Sequence, residues 1–316
     1  MKHYIGIDIG GTKCAVSLGC EFPETSEMRV LEKRRIETSG STPSEVLYKI
    51  AAFANEYARK EDIFGIGISC GGPLDSESGI ILGPPNLPGW DRVEIVSYFQ
   101  EKFRLPVYLQ NDANACAVAE WRYGAGKGLI NMIFLTFGTG MGAGLILNGR
   151  LYTGANGMAG EVGHWRMSEE GPVGYGKAGS FEGFCSGEGL ARAARDKIEL
   201  AKESGLFSSG SSLQSINAKQ IASLADSGDE FCRSIYADCG HMLGKGMALM
   251  IDLLNPQMIV IGSIFARSQN LLWNYAKEEI ETEALKRSAE ECRVVPSLLG
   301  ESLGDIAALT VAAGIS

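Results

Sequence analysis

The amino-acid sequence predicts an α/β protein assembled from a duplicated unit. Three observations carry that prediction. Strand-like apolar runs alternate with amphipathic helical stretches along the chain. Two glycine-rich turns, Asp8-Ile9-Gly10-Gly11-Thr12-Lys13 and Thr136-Phe137-Gly138-Thr139-Gly140-Met141-Gly142, stand one in each half. The turns also echo each other in register: Asp8 aligns with Thr136, Gly10 with Gly138 and Ala15 with Ala143.

The first turn lies within residues 4–18 and the second within 132–147. After Lys13 comes Cys14-Ala15-Val16-Ser17-Leu18, and after Gly142 comes Ala143-Gly144-Leu145-Ile146-Leu147. Both runs are short, apolar and rich in strand formers, so each turn is expected to close a hairpin. A dinucleotide-binding fold or a P-loop would open a helix there, and neither turn has the G-x-x-x-x-G-K-[ST] spacing. Glycine in a hairpin also has a purely conformational use. The echo between the two turns favours a phosphate pocket between the copies of the unit.

The remaining elements follow in order. Thr42-Pro43-Ser44-Glu45 is a capping box with proline at the first helical position. It opens a helix whose apolar face is Leu47, Ile50, Ala51, Ala54 and Tyr57. Residues 64–69 read as a buried strand ending at Gly71-Gly72-Pro73, and the prolines of 83–89 make an irregular loop. A short strand at 107–110 precedes a helix at 113–123. In the second half, 154–183 is glycine-rich and irregular. Helices are expected at 187–203, 218–224, 230–253, 271–286 and 303–313, and a buried strand at 258–261. Residues 204–215 have the serine- and glycine-rich composition of a surface loop.

Composition excludes several classes. The 316 residues suffice for two domains, and 45% hydrophobic with 21% charged residues is ordinary for a soluble globular protein. A net charge of −9 with no basic run argues against a nucleic-acid partner. No apolar run approaches a membrane span. The chain enters a strand almost at once, so neither a signal peptide nor an upstream helix-turn-helix is expected. Eight scattered cysteines without a C-x-x-C pair read as reduced thiols of a cytoplasmic protein, and a zinc site built from them is not expected.

Two clusters have chemical potential. Asn111-Asp112 stands where a strand ends and a helix begins, the edge at which open α/β sheets bind ligands. Asp112 there is either a helix N-cap or a general base that takes a proton from an attacking hydroxyl. Gly160-Glu161-Val162-Gly163-His164 sets an acid and an imidazole among glycines, a mixture suited to a polyhydroxylated ligand. Asn86, stiffened by Pro84, Pro85 and Pro88, either adds an amide to that ligand or forms an Asx-turn.

These motifs closely resemble the ROK family of bacterial sugar kinases, within the actin/hexokinase/Hsp70 ATPase superfamily. The resemblance rests on Ile7-Asp8-Ile9-Gly10-Gly11-Thr12-Lys13, Pro85-Asn86-Leu87-Pro88-Gly89-Trp90, Asn111-Asp112-Ala113-Asn114 and Gly160-Glu161-Val162-Gly163-His164, through to Gly304-Asp305-Ile306-Ala307. It implies a duplicated actin-like ATPase (ribonuclease H-like) α/β fold with two domains around a cleft, each on a mixed five-stranded sheet. The domains expected are 1–112 with 301–316, and 113–300. Carried over by position, Asp112 is the catalytic base. Gly71, Gly72, Asn86, Asn111, Asp112, Glu161, His164 and Glu182 match the sugar site. Gly10, Gly11, Thr12, Lys13, Thr136, Gly138, Thr139 and Gly140 face the phosphates of ATP, and Gly262 and Ser263 its adenosine end. Asp8 would hold Mg²⁺ through water. A homodimer is common among relatives.

One segment departs from the pattern. The family often carries C-x-C-G-x-x-G-C-x-E after the histidine, and three of those cysteines bind zinc together with that histidine. Here Val173, Tyr175 and Ser180 stand at the three cysteine positions, while the glycines and Glu182 remain. No zinc is expected, and Tyr175 and Phe181 are expected to hold the loop by packing. The resemblance implies ATP-dependent phosphorylation of a sugar hydroxyl, foremost the 6-hydroxyl of a hexose such as a glucose-like sugar or an N-acetylhexosamine. The alternative is a non-catalytic sugar sensor lacking its own DNA-binding segment. A nicotinamide enzyme is disfavoured because a strand follows Gly142.

Overall fold

The structure is a computed structural model that describes residues 1–203 and 216–314. The surface loop expected at 204–215 lies outside the described residues. The first half contains β1 (Lys2–Ile9), β2 (Lys13–Phe22), β3 (Glu27–Glu37), α1 (Pro43–Lys60), β4 (Ile63–Cys70), β5 (Leu74–Asp75), β6 (Ile80–Ile81), α2 (Ile95–Phe103), β7 (Val107–Asn111) and α3 (Asp112–Tyr123). The second half contains β8 (Met132–Phe137), β9 (Met141–Leu147), β10 (Arg150–Tyr152), β11 (Val173–Gly174), β12 (Lys177–Ala178), α4 (Phe181–Phe184), α5 (Gly187–Glu203), α6 (Ala218–Asp226), α7 (Glu230–Leu254), β13 (Met258–Ile261), α8 (Ile264–Glu283), α9 (Lys286–Glu291), β14 (Arg293–Pro296) and α10 (Leu303–Ala312).

The duplication is visible in the sheets. One five-stranded sheet runs β3-β2-β1-β4-β7 and the other β10-β9-β8-β13-β14. In both, a hairpin pair is extended by a third strand on one side and by two later strands on the other. β1 pairs antiparallel with β2 and parallel with β4, so the first sheet is mixed. Both glycine turns connect the first two strands of their sheet, β1 to β2 and β8 to β9.

Contacts divide the chain into two compact units. One comprises Met1–Phe134, Gly144–Gly160 and Ser297–Ser316, and the other Leu135–Ala143 and Glu161–Pro296. The domain boundary expected at residue 112 falls inside the first unit, because α3 packs against α10.

Alternation along β1 assigns the two faces of the first sheet. Ile5, Ile7 and Ile9 join a core with Val16, Leu18, the apolar side of α1, and Ile95 and Phe99 of α2. The capping box at Thr42 and Glu45 forms as expected, with both reciprocal bonds present. On the opposite face, glycines admit α10 close to the strands. A Cβ on Gly67 would stand 2.1 Å from the Ala312 amide nitrogen, and one on Gly6 2.9 Å from that of Leu309. A side chain at either position would push the helix off the sheet.

Several elements, α2, β10 and α9 among them, have no counterpart in the sequence reading, and three differences show why. β3 has no counterpart in the sequence reading, because as an edge strand it carries charges that blur its alternation. β14 is an edge strand of only four residues that ends in a proline, too short to show an alternation. The helix expected at 271–286 starts at Ile264, kinks at Ser268 and stops at Glu283, where Ala284 turns extended.

Candidate functional site

Asn111, not Asp112, caps α3. Its Oδ1 accepts from the amides of Ala113 at 3.0 Å and Asn114 at 3.3 Å. Asp112 is therefore the first residue of the helix, and its Oδ1 accepts from the Ala113 amide at 2.8 Å. The side chain is open to solvent on one side while protein crowds the other. The loss of hydration raises its carboxyl above the ordinary range, and the Ala113 amide offsets part of that shift. Behind it, Gln110 Oε1 takes the Asn111 amide at 2.9 Å and Asn114 Nδ2 at 3.2 Å. Asn114 Oδ1 is the one buried side-chain polar atom without a hydrogen-bond partner among the described residues.

The other predicted residues of the first unit gather around Asp112. A Cβ on Gly71 would lie 3.9 Å from Asp112 Oδ2 and 3.8 Å from the Asn86 amide group, and one on Gly72 3.5 Å from Asn111 Nδ2. Buried Leu87 and Trp90 anchor the proline loop, whose ends meet through the Gly83 amide donating to the Trp90 carbonyl at 2.8 Å. Asn86 itself stays exposed. Its carbonyl presses on the first glycine turn, since a Cβ on Gly11 would stand 2.4 Å from that oxygen.

The turn closes through the Gly10 amide donating to the Lys13 carbonyl at 3.0 Å. Thr38, which sequence reasoning missed, braces it twice. Its hydroxyl donates to the Gly10 carbonyl at 3.1 Å and its amide to the Thr12 carbonyl at 2.9 Å. Lys13 sits 3.9 Å from Glu37 in an exposed ion pair, worth little in energy.

Asp8 shares a sheet face with Ser17 and Lys33 of β2 and β3. Both reach Asp305 of α10, Ser17 Oγ donating at 2.7 Å and Lys33 Nζ at 2.5 Å. Burial raises the Asp8 carboxyl to about 6. The charges of Asp112 and Asp305 push it the same way, and Lys33 offsets them in part. The sequence offered only Asp305, as the end of a motif. Ser17 and Lys33 become neighbours through strand register.

The second unit holds the other predicted residues. In its glycine turn the Gly138 amide donates to the Gly140 carbonyl at 3.1 Å, and the Gly187 amide to the Gly138 carbonyl at 2.7 Å. Ser263 Oγ lies 3.8 Å from where a Gly138 Cβ would be, and the Gly262 amide donates to the Leu135 carbonyl at 3.0 Å. Ser263 adopts φ +51°, a conformation L-residues rarely hold. Glu182 Oε2 accepts from the Met141 amide at 3.0 Å.

Glu161 and His164 bracket a short 3-10 turn, with the His164 amide donating to the Glu161 carbonyl at 3.2 Å. The His164 ring packs edge-on against Tyr175 at 4.5 Å, and Lys177 Nζ donates to the His164 carbonyl at 2.7 Å. Tyr175 and Gly176 both have positive φ, the conformation of a two-residue hairpin between β11 and β12. Ser180 Oγ accepts from the amides of Gly174 and Gly183, both at 3.1 Å, and donates to the Gly174 carbonyl at 3.2 Å. Phe181 stacks on Trp165 at 6.2 Å. The segment with Val173, Tyr175 and Ser180 at the metal-binding positions is thus held by ring packing and a hydroxyl hub. Among the described residues no group of three or more His, Cys, Asp or Glu is placed to hold a metal ion.

Comparison with known proteins adds a decisive observation: the family model described as ROK family matches residues 4–314. The chain belongs to the ROK family. It is 32% identical to a glucokinase of Halalkalibacterium halodurans, over 96% of this chain and 93% of that protein. The ROK family glucokinase of Streptomyces griseus, solved in complex with glucose and AMPPNP, superposes with a TM-score of 0.81 at 28% identity, covering 99% of both chains. A xylose repressor of Caldicellulosiruptor bescii is 35% identical over 64% of this chain and 50% of its own length. The fold of this ROK protein is the duplicated α/β actin-like ATPase fold, as its strand orders and these neighbours show.

Proposed function

We propose that the protein transfers the γ-phosphate of ATP to a sugar hydroxyl, foremost the 6-hydroxyl of a glucose-like hexose or N-acetylhexosamine. The observation that carries this reading is the setting of Asp112. One carboxylate oxygen is tied to the Ala113 amide. The other lies beside the side-chain-free Gly71, which the Asn86 amide also borders, so a hydroxyl donor has room there. The raised Asp112 carboxyl moves towards the range that serves a general base at neutral pH.

In the proposed mechanism Asn86, Asn111, Glu161, His164 and Glu182 orient the sugar, with the backbone of Gly71 and Gly72 beside it. Asp112 takes the hydroxyl proton as the oxygen attacks phosphorus in line. The turns at Gly10–Lys13 and Thr136–Gly140 offer backbone amides to ATP phosphates, and Gly262 and Ser263 approach the adenosine end. Asp8 fits a role towards Mg²⁺: a crowded carboxyl opposed by two acidic neighbours is a site that a divalent cation relieves. Bound there through water, Mg²⁺ would neutralise charge on the phosphate oxygens. Zinc has no part in this reading, since Val173, Tyr175 and Ser180 offer no thiolate.

All eight cysteines are free, consistent with a cytoplasmic setting, and no described helix is long and apolar enough to cross a membrane. The acidic net charge disfavours nucleic acid as a partner, and a homodimer is expected by analogy with relatives. The repressor match gives a second reading, a sugar sensor without turnover. ADP release measured against a panel of hexoses, N-acetylhexosamines and xylose separates the two. Rapid release with one sugar supports the kinase, whereas sugar binding without ADP release overturns it in favour of the sensor.

A further inference from the structure

We infer that Glu182 is a positioning residue for the nucleotide turn, and that through it the affinities for sugar and ATP are tied together. This rests on the kinase reading, in which Glu182 is a sugar ligand, and adds a second task for the same carboxylate. Glu182 is the second residue of α4, and its backbone is unusually fixed. Ser180 caps the helix and bonds Gly174 as well, and both Ser180 and Phe181 are fully buried.

From that platform Oε2 receives the Met141 amide at 3.0 Å. It also lies against Gly140 so closely that a Cβ there would stand 2.7 Å from it. The Met141 carbonyl is met from the other side by Gly163, where a Cβ would stand 2.3 Å away. The two peptide groups flanking Met141 are thus each met by a residue of the segment that carries Glu161 and His164, the Gly140–Met141 peptide by Glu182 and the Met141–Gly142 peptide by Gly163. With the Gly138 amide engaged inside the turn, the amides of Thr139 and Gly140 remain its unengaged donors among the described residues. Glu182 therefore orients the donors left for phosphate and withholds the Met141 amide from it.

A carboxylate so near a phosphate turn has an electrostatic consequence. Unrelieved, its charge opposes an approaching triphosphate. A sugar hydroxyl donating to Oε1 would draw that charge away and hold the rotamer that bonds Met141. Sugar and nucleotide should then strengthen each other's binding, and by linkage the factor is the same in both directions.

The test measures AMPPNP–Mg²⁺ affinity by calorimetry, without and with a saturating amount of the sugar turned over fastest in the ADP-release panel. For the unaltered protein the sugar should tighten AMPPNP by about fivefold or more, a typical coupling magnitude. Glu182→Ala should weaken AMPPNP about tenfold in the absence of any sugar, since loss of the charge-assisted bond that orders the turn outweighs removal of the opposing charge. Glu182→Gln keeps an acceptor for the Met141 amide and removes the opposing charge, so its sugar-free affinity should equal or exceed that of the unaltered protein while most of the coupling is lost. Unchanged sugar-free affinity in Glu182→Ala would overturn the inference, as would undiminished coupling in Glu182→Gln. Thermal unfolding of both variants controls for misfolding, and the coupling in Glu182→Gln decides the question where the alanine variant fails to fold. If the unaltered protein binds AMPPNP but turns over no sugar, the kinase reading falls, while the sugar-free effect of Glu182→Ala still decides the positioning role.

Discussion

The Asp8 carboxylate lies directly over Gly304: a Cβ on that glycine would stand 2.8 Å from Asp8 Oδ2. The residue proposed to serve Mg²⁺ is thereby seated on the first turn of α10. Gly304→Ala should shift the carboxylate and reduce Mg²⁺-dependent turnover by at least about tenfold, the scale of a small misplacement at a reacting centre. Alanine is the better helix former by about 1 kcal/mol, so stability should change little. Turnover and thermal unfolding measured together check this. Unaltered activity across a Mg²⁺ titration would show that the contact is only packing.

The pH dependence of stability should report Asp8. In the folded protein its carboxyl is raised to about 6 from 3.8, so between those values the folded state binds more proton than the unfolded one. Stability must then fall as pH rises through that window and stay lower above it. The cost is on the order of 3 kcal/mol for a shift of about two units. Asp8→Asn removes the ionisation. Without Mg²⁺ it should be more stable than the natural protein at pH 8 and nearly equal to it at pH 3.5. Urea denaturation at the two pH values measures the difference, and identical curves at pH 8 would refute the assignment.

Asp112→Asn should lower turnover by roughly 10²- to 10⁴-fold, the usual contribution of a general base. The asparagine can still accept from the Ala113 amide, so the start of α3 and the affinity for sugar should survive. Single-turnover kinetics alongside sugar-binding calorimetry would separate these effects. Near-normal turnover would remove Asp112 from the role of base.

Ser263 holds a positive φ of +51° ahead of α8 without capping it through its side chain. Relieving such strain should stabilise Ser263→Gly by about 1 kcal/mol, while Ser263→Ala gains nothing. Both variants lose the hydroxyl that faces Gly138, so both should bind AMPPNP more weakly. Full affinity in Ser263→Ala would mean the hydroxyl does not serve the nucleotide.

Residues that act through their own short motif were readable from the sequence. The two turns showed themselves by glycine spacing, and Asn111-Asp112 by standing between a strand run and a helix. What stayed hidden depends on register or on the reach of a side chain. Thr38 braces the first turn because β3 returns beside β2, and the charged edge of β3 concealed that strand. Ser17 and Lys33 meet Asp305 only after a sheet and a helix distant in sequence are stacked. Asp112 was the cap candidate on paper, and backbone geometry gave the cap to Asn111. Glu182 was visible as a motif residue, whereas its bond to Met141 spans 41 positions of chain.

The seating of α10 on Gly6 and Gly67 also shapes how this protein is made. The helix is translated about 300 residues after the strand it covers, so its docking closes one of the longest loops the chain permits. On the ribosome β1, β2 and β4 emerge early with one face bare, and that face must be kept from other chains until α10 arrives. A premature stop ahead of Leu303 would leave the glycine-lined face permanently open, and such a fragment should be handed to chaperones and proteases rather than persist as a smaller enzyme.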